Sequence, residues 1–291
     1  METVSGAILS QWRAEARQQA LAAGLDPQEV DWLLHWGAGV DKLQLRLQTQ
    51  VSLPRPWEEV QTLWCRRLTE RRPLQYLVGE TPWRQFCLQV QPGVLIPRPE
   101  TEQIIDLVQE QVRLTPELAQ GNWLDLGTGS GALALGLAHL LPEAQVYGLD
   151  YSAVALEVAA SNARRYPPPR PIRWRRGDWW QGVLDLRGQL TGLVSNPPYI
   201  PRGELPHLQR EVRDYEPVLA LDGGEDGLES FRVLVQEAPE FLVPGGLWLA
   251  EAMAGQAPRV GQLLENQGEY RSIEIHRDLS GWERFILAWR R

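Results

Sequence analysis

Sulfur is scarce in this chain: of 291 residues, two are cysteine and two are methionine. Cys65 and Cys87 allow at most one disulfide, which excludes a cystine-scaffolded fold. With only four scattered histidines beside them, they argue against a zinc site, and no metal is expected. Lysine is scarcer still, Lys42 standing alone among 29 basic residues. That bias runs through the whole chain, so it reflects composition rather than a site. No apolar run approaches the ~20 residues needed to cross a bilayer. The longest, from Gly131 to Leu141, contains His139 and stops at Pro142. The first twenty residues lack the basic and long apolar regions of a secretion signal. The expectation is a soluble, cytoplasmic, monomeric protein without membrane contact.

Apolar residues make up 43% and charged residues 23%, as in an ordinary globular protein, and the length allows two domains. The net charge of −8 argues against a protein that holds nucleic acid by its backbone. Thirteen tryptophans are many, and most are expected in the core.

Residues 1–75 read as a small all-helical domain. Val4, Ile8, Leu9, Trp12 and Ala16 follow a 3.6-residue period, as do Val30, Leu33 and Leu34, and a stripe of Val60, Leu63, Trp64 and Leu68 marks a helix over 57–72. Asp26-Pro27 has the form of a helix start. Residues 76–98 read as a hairpin and linker: Trp83 to Val90 alternates like a strand, and Gln91-Pro92-Gly93 is a turn. A helix follows from about Thr101 to Arg113. From residue 99 to 291 strands and helices alternate, with strands at Trp123–Leu126, Gln145–Leu149, Ile172–Arg175, Gly192–Ser195 and Leu247–Glu251. Helices are expected at Ala132–Leu141 and Ala153–Arg164. This pattern predicts a mostly parallel α/β sheet. Two final strands, Tyr270–His276 and Arg284–Trp289, are joined by a turn at Gly281 too short for a helix, so an antiparallel pair closes the sheet.

Two loops carry chemistry. Gly127-Thr128-Gly129-Ser130-Gly131 follows the first of these strands and precedes a helix, where glycines let backbone N–H groups approach a ligand. Asp150, ending the next strand, is placed to accept from ribose hydroxyls. A dinucleotide pattern fits the same glycines, so this loop alone indicates only a nucleotide-like ligand. After the third strand, Asp178 can accept from an adenine amino group while Trp179 packs on the ring; a surface turn with a buried tryptophan fits equally.

The second loop is Asn196-Pro197-Pro198-Tyr199. Consecutive prolines have no N–H, so their carbonyls stay free and rigidly aimed at the carboxyl ends of the strands. Asn196 adds a side-chain carbonyl. Two fixed acceptors suit a planar –NH2 group, with Tyr199 stacking on its face. Such a nitrogen is a poor nucleophile, because its lone pair is delocalised. Drawing on both protons and holding the nitrogen in line with an electrophilic methyl favours the tetrahedral transition state.

At these residues the sequence resembles S-adenosylmethionine-dependent N-methyltransferases, and most specifically the glutamine methyltransferases of peptide chain release factors. The resemblance runs from about Pro73 to the C-terminus. It rests on Pro73 to Glu80, Leu95-Ile96-Pro97-Arg98-Pro99-Glu100-Thr101-Glu102, the glycine loop, and Ser195 to Ile200. Glu211-Val212, Glu216-Pro217, Gly223-Gly224, Asp226-Gly227-Leu228 and Asp278 to Gly281 add to it. It implies a seven-stranded Rossmann-like methyltransferase sheet behind a helical substrate-recognition domain. It also implies S-adenosyl-L-methionine as cofactor, released as S-adenosyl-L-homocysteine, and the glutamine of a Gly-Gly-Gln loop as substrate. Gly127 to Gly131 would hold the methionine end, Asp150 the ribose, and Asp178 with Trp179 the adenine. Asn196, which would also contact the cofactor, and Pro197 would take the glutamine amide, with Pro198 and Tyr199 packing beside it. Arg98 and Glu100 are placed either at the cofactor entrance or at a helix start. One departure stands after the fifth strand, where Glu251-Ala252-Met253 replaces the family's Glu-His-Gly or Glu-Ile-Gly.

The competing reading is an adenine N6-methyltransferase acting on DNA or RNA, since adenine also offers a planar amine. Eight acids against three arginines between Pro201 and Glu229 speak against a phosphate backbone there. Six arginines between Arg164 and Arg176 are the counterweight, and read as a solvated loop. A dinucleotide oxidoreductase leaves Asn196 to Tyr199 unexplained. A cofactor-sensing module without turnover predicts that Asn196 is dispensable.

Overall fold

The computed structural model describes residues 2–47 and 49–291. The chain divides into two compact units. The first comprises the residues up to Thr81 together with Gln209–Tyr215, and the second comprises Pro82–Leu208 and Glu216–Arg291.

In the first unit a strand β1 (Glu2–Ser5) leads into helix α1 (Gly6–Ala22), whose start Ser5 caps by accepting from the Ala7 N–H at 3.2 Å. A short helix Gln28–Trp32 runs on into a π-turn, Leu33–Gly37, and a further helix covers Lys42–Leu47. Strand β2 (Gln50–Leu53) and helix α2 (Trp57–Glu70) follow, then Leu74–Val78. The predicted apolar stripes converge, burying Leu9, Ala16, Val30, Leu33, Leu34, Val60 and Trp64 in one core. The expectation of an all-helical domain needs correction: β1 and β2 pair antiparallel, with Val4 opposite Val51. Each strand has four residues, too few for a two-residue period to stand out against the helical one around it. Arg67, 3% exposed, donates to Glu29 and to Glu211, so Gln209–Tyr215 joins this unit through a charge pairing that sequence order hides.

The second unit is built on one seven-stranded sheet. A hairpin of β3 (Glu80–Trp83), within which the division between the units falls, and β4 (Phe86–Gln89) comes first. A hairpin is expected within 76–98, but its turn falls inside the run 83–90, because Arg84 takes a left-handed φ of 50° and reverses the chain there. A 3-10 turn, Glu100–Glu102, opens into α3 (Gln103–Leu114). Then come β5 (Asn122–Leu126), α4 (Ala132–Leu140), β6 (Gln145–Asp150), α5 (Ala153–Arg165), β7 (Arg173–Arg176) and β8 (Leu190–Ser195). Helix α6 (Glu229–Phe241), β9 (Leu242–Glu251), α7 (Ala257–Gln267), β10 (Tyr270–Arg277) and β11 (Glu283–Arg290) complete the unit.

The strand order is β10-β11-β9-β8-β5-β6-β7, parallel from β9 to β7, with β11 antiparallel to both its neighbours. All seven predicted strands are present. Alternation sends side chains to opposite faces. In β9, Leu247 and Leu249 enter one core with Ile104, Ile105 and Leu133, while Trp248 and Ala250 enter the other with Phe231, Leu234 and Val260. Helices α3 and α4 thus cover one face, and α6 and α7 the other. Chain order reverses between β5 and β8, so their carboxyl ends flank a crevice, where open α/β sheets take ligands. Among the described residues no helix is long and apolar enough to cross a membrane.

Candidate active site

The loops leaving β5, β6, β7 and β8 meet around a cavity of about 410 Å³. That volume falls in the range of small-molecule sites. Immediately after β5, Gly127, Gly129 and Gly131 take φ of 80°, 54° and 81°, a region open to glycine at no cost. The Gly127 and Thr128 N–H groups both donate to the Leu149 carbonyl at 2.9 Å, which ties the loop to β6. A Cβ on Gly127 or Gly129 would enter open space, whereas one on Gly131 would stand 2.9 Å from Ala159 Cβ. The first two glycines therefore leave room at the cavity, and the third lets α4 pack against α5.

Asp150 ends β6 and lines the cavity. Its carboxylate also organises the site, accepting from the Gly129 N–H and the Ser152 N–H, each at 2.8 Å. Burial raises its pKa against those bonds. Thr128 and Ser130 line the same cavity. The Thr128 hydroxyl is committed to Asp125 Oδ2 at 2.5 Å, and the Ser130 carbonyl accepts from Asn162 Nδ2 at 2.9 Å.

Asp178 and Trp179 also line the cavity. Trp179 takes φ 47°, a conformation that costs a bulky residue energy and that concentrates at functional positions. Trp180, next to it, is buried and stacked on Phe241, so only the first tryptophan of the pair is at the site.

Beyond β8, Asn196, Pro197 and Pro198 form the opposite wall. Tyr199 does not belong to that wall; it packs against the core that contains Phe231 and Trp248. Its hydroxyl lies 3.5 Å from Glu251 Oε1, and burial raises its pKa. The Tyr199 carbonyl accepts from Gln256 Nε2 at 2.9 Å. The Ile200 N–H donates to the Leu221 carbonyl at 2.9 Å, and the Gly223 N–H donates to the Ile200 carbonyl at 2.8 Å. A Cβ on Gly223 would come within 2.7 Å of Tyr199 Cα, so this glycine is what allows the close approach.

Several groups at the site were not legible as functional. Asp125 is fully buried and lines the cavity, and among the described residues its Oδ1 has no partner. Burial pushes its pKa up to about 7, opposed by the Thr128 hydroxyl and the Ala134 N–H. Thr101 and Glu251, 4% and 1% exposed, connect to Asn196: Thr101 Oγ1 donates to Glu251 Oε2 at 2.6 Å and accepts from Asn196 Nδ2 at 3.0 Å. The string Pro97 to Glu102 carried the first signal, and Glu251 at a strand end the second. Arg98 and Glu100 lie outside the cavity wall, which passes through Pro97 and Thr101. Arg98 donates to buried Glu216 at 2.7 Å.

The acidic run from 201 to 229 repels anions less than its count suggested. Glu211 pairs with Arg67 and Arg71, Asp214 with Arg210 and Arg213, Glu216 with Arg98, Asp222 with Arg202, and Asp226 with Arg232 and Arg259.

A methyltransferase-domain family model matches residues 124–215. A release factor glutamine methyltransferase of Synechocystis sp. is 49% identical over 98% of this chain and 97% of its own length. One from Thermosynechococcus vestitus is 46% identical over 89% of this chain and 90% of its own. One from Gloeobacter violaceus is 42% identical over 96% and 97%.

Proposed function

The chain belongs to the release factor glutamine methyltransferase family, and on that premise we propose that it methylates the side-chain nitrogen of the glutamine in a release factor's Gly-Gly-Gln loop. The observation that carries the reading is the shared cavity, which joins the glycine loop after β5 to Asn196 and Pro197 after β8. The residues present fit S-adenosylmethionine. The open space at Gly127 and Gly129 admits a ligand, and the partnerless Asp125 Oδ1 suits a cationic group. Gly127 to Gly131 hold the methionine end, Asp150 the ribose, and Asp178 with Trp179 the adenine. The bound cofactor supplies an electrophilic methyl group and leaves as the neutral thioether S-adenosylhomocysteine.

The chain's own contribution is orientation and charge. Asn196 Oδ1 and the Pro197 carbonyl each accept one N–H of the glutamine amide, which fixes the plane of the nitrogen. As that nitrogen becomes tetrahedral its protons grow more acidic, so both bonds strengthen on the way to the transition state. The nitrogen lone pair would form the new N–C bond as the bond from that methyl carbon to sulfur breaks, and the N–H proton then lost would pass to water. Pro198 stiffens this wall, and Tyr199 supports it from the core side. One amide carries too little information to select a protein, so residues 1–75 supply the recognition of the release factor in the cytoplasm.

The test is transfer of label from radioactive S-adenosylmethionine to a release factor, its Gly-Gly-Gln→Gly-Gly-Ala variant, or duplex DNA. Label on the unaltered factor alone is expected; equal label on the variant, or label on DNA, overturns the reading. Asn196→Ala is expected to lower turnover by on the order of 10²–10³, with S-adenosylhomocysteine affinity nearly unchanged.

A further inference from the structure

We propose that Thr101 and Glu251 are positioning residues that decide which end of the Asn196 amide faces the cavity. This rests on the reading of Asn196 as the acceptor. An asparagine amide presents a carbonyl at one end and –NH2 at the other, and only the carbonyl can receive the substrate's N–H. The –NH2 end in that position would set donor against donor.

The choice is made two bonds away. Ionised Glu251 has no proton to give, so its bond with Thr101 Oγ1, 2.6 Å long, must be made with the threonine's proton. A hydroxyl has one proton. Once it is committed, Thr101 offers Asn196 only lone pairs, and at 3.0 Å the partner must be Nδ2. Oδ1 is thereby turned away from Thr101. In the reverse orientation two oxygens would face each other with no proton between them.

Each member is held where this matters. Thr101 stands in the 3-10 turn after Pro97 and Pro99, Glu251 closes β9, and Asn196 is locked ahead of two prolines. Both Thr101 and Glu251 are buried, so water does not compete for these bonds. The carboxylate selects an acceptor without touching the substrate.

The experiment compares Thr101→Ser, Thr101→Val and Glu251→Gln with the unaltered protein, alone and combined with Asn196→Ala. It measures kcat and KM for methylation of a release factor, S-adenosylhomocysteine affinity by tryptophan fluorescence, and thermal midpoint. Thr101→Val keeps the shape and loses the hydroxyl, and is expected to lower kcat by roughly tenfold to a hundredfold. The loss should fall on kcat more than on KM or cofactor affinity, since Thr101 lines the cavity with one methyl-sized group that valine keeps while the orientation of Asn196 is lost. Thr101→Ser restores the relay and should restore kcat. Glu251→Gln can donate to Thr101 as well as accept, so it loosens the choice and lowers kcat. In the Asn196→Ala background Thr101→Val should cost nothing further. Undiminished kcat in Thr101→Val, or the same fold loss with and without Asn196, overturns the inference. Should Thr101→Val fail to fold, Glu251→Gln with full kcat overturns it instead. Full turnover in Asn196→Ala alone defeats the reading of Asn196 itself, a separate outcome.

Discussion

The Gly129 N–H donates to Asp150 Oδ2 at 2.8 Å, joining the tip of the glycine loop to the end of the neighbouring strand. Asp150 is therefore both a wall of the cavity and the peg that holds the glycine loop. Asp150→Ala removes both functions. Losing a charge-assisted bond of about 1.5–3 kcal/mol should weaken S-adenosylhomocysteine binding by roughly tenfold to more than a hundredfold. Titration calorimetry measures it; unchanged affinity would show that the loop holds its shape without the peg.

Burial raises Asp125 as it does Asp150, and pushes its pKa up to about 7. A carboxyl with a folded pKa above its unfolded value stabilises the fold at low pH and loses that contribution as pH rises from about 4 to about 7. Thr128, Ala134 and Asp150 are the groups that set the value, the last by repulsion. Asp125→Asn should flatten that decline and raise the thermal midpoint at pH 8. It should also weaken cofactor binding, because the cationic ligand loses its counter-charge. Scanning calorimetry from pH 5 to pH 8 reads the first effect and fluorescence titration the second.

Glu251 is likewise pushed up to about 7 by burial, and it faces Thr101, Tyr199, Arg284 and Glu100. Protonated, it can donate to Thr101 and free the threonine's proton for Asn196 Oδ1. Turnover at saturating substrates should therefore fall as pH drops below about 7, and Glu251→Gln should abolish that limb of the profile. An unaltered acid limb in the variant would assign it to another group.

Gly223→Ala tests the packing behind the acceptor loop. The φ of Gly223 suits alanine, so the cost is the contact of the new Cβ with Tyr199 Cα and C, both 2.7 Å away. Both are backbone atoms and cannot swing aside. A loss of about 1–3 kcal/mol of stability is expected, with lower turnover and near-normal cofactor affinity. Chemical denaturation and steady-state kinetics together measure it.

What the sequence revealed was whatever is written locally. The glycine loop and Asn196 to Tyr199 are single strings placed directly after strands, and β5, β6, β8 and β9 each carry a short apolar run. The groups that orient those strings come from elsewhere. Thr101 is 95 residues from Asn196, and Glu251 is 150 from Thr101. Glu211 finds Arg67 across 144 residues, and β1 finds β2 only after α1 and two short helices have intervened. The charge of the acidic run was legible but its pairing was not, since most of its partners, such as Arg98 and Arg259, lie outside it. Nothing in a local window shows which charges cancel.

Pro197 and Pro198 contribute carbonyls because they lack amide hydrogens, and this makes the centre of the acceptor wall silent to amide exchange. The nearest reporter on its far side beyond Tyr199 is the Ile200 amide, bonded to the Leu221 carbonyl at 2.9 Å. Breathing of the wall cannot be followed at the wall. It would register as the rate at which Ile200 trades its proton for deuterium, and a ligand that clamps Asn196 would slow the clock at a residue it does not touch.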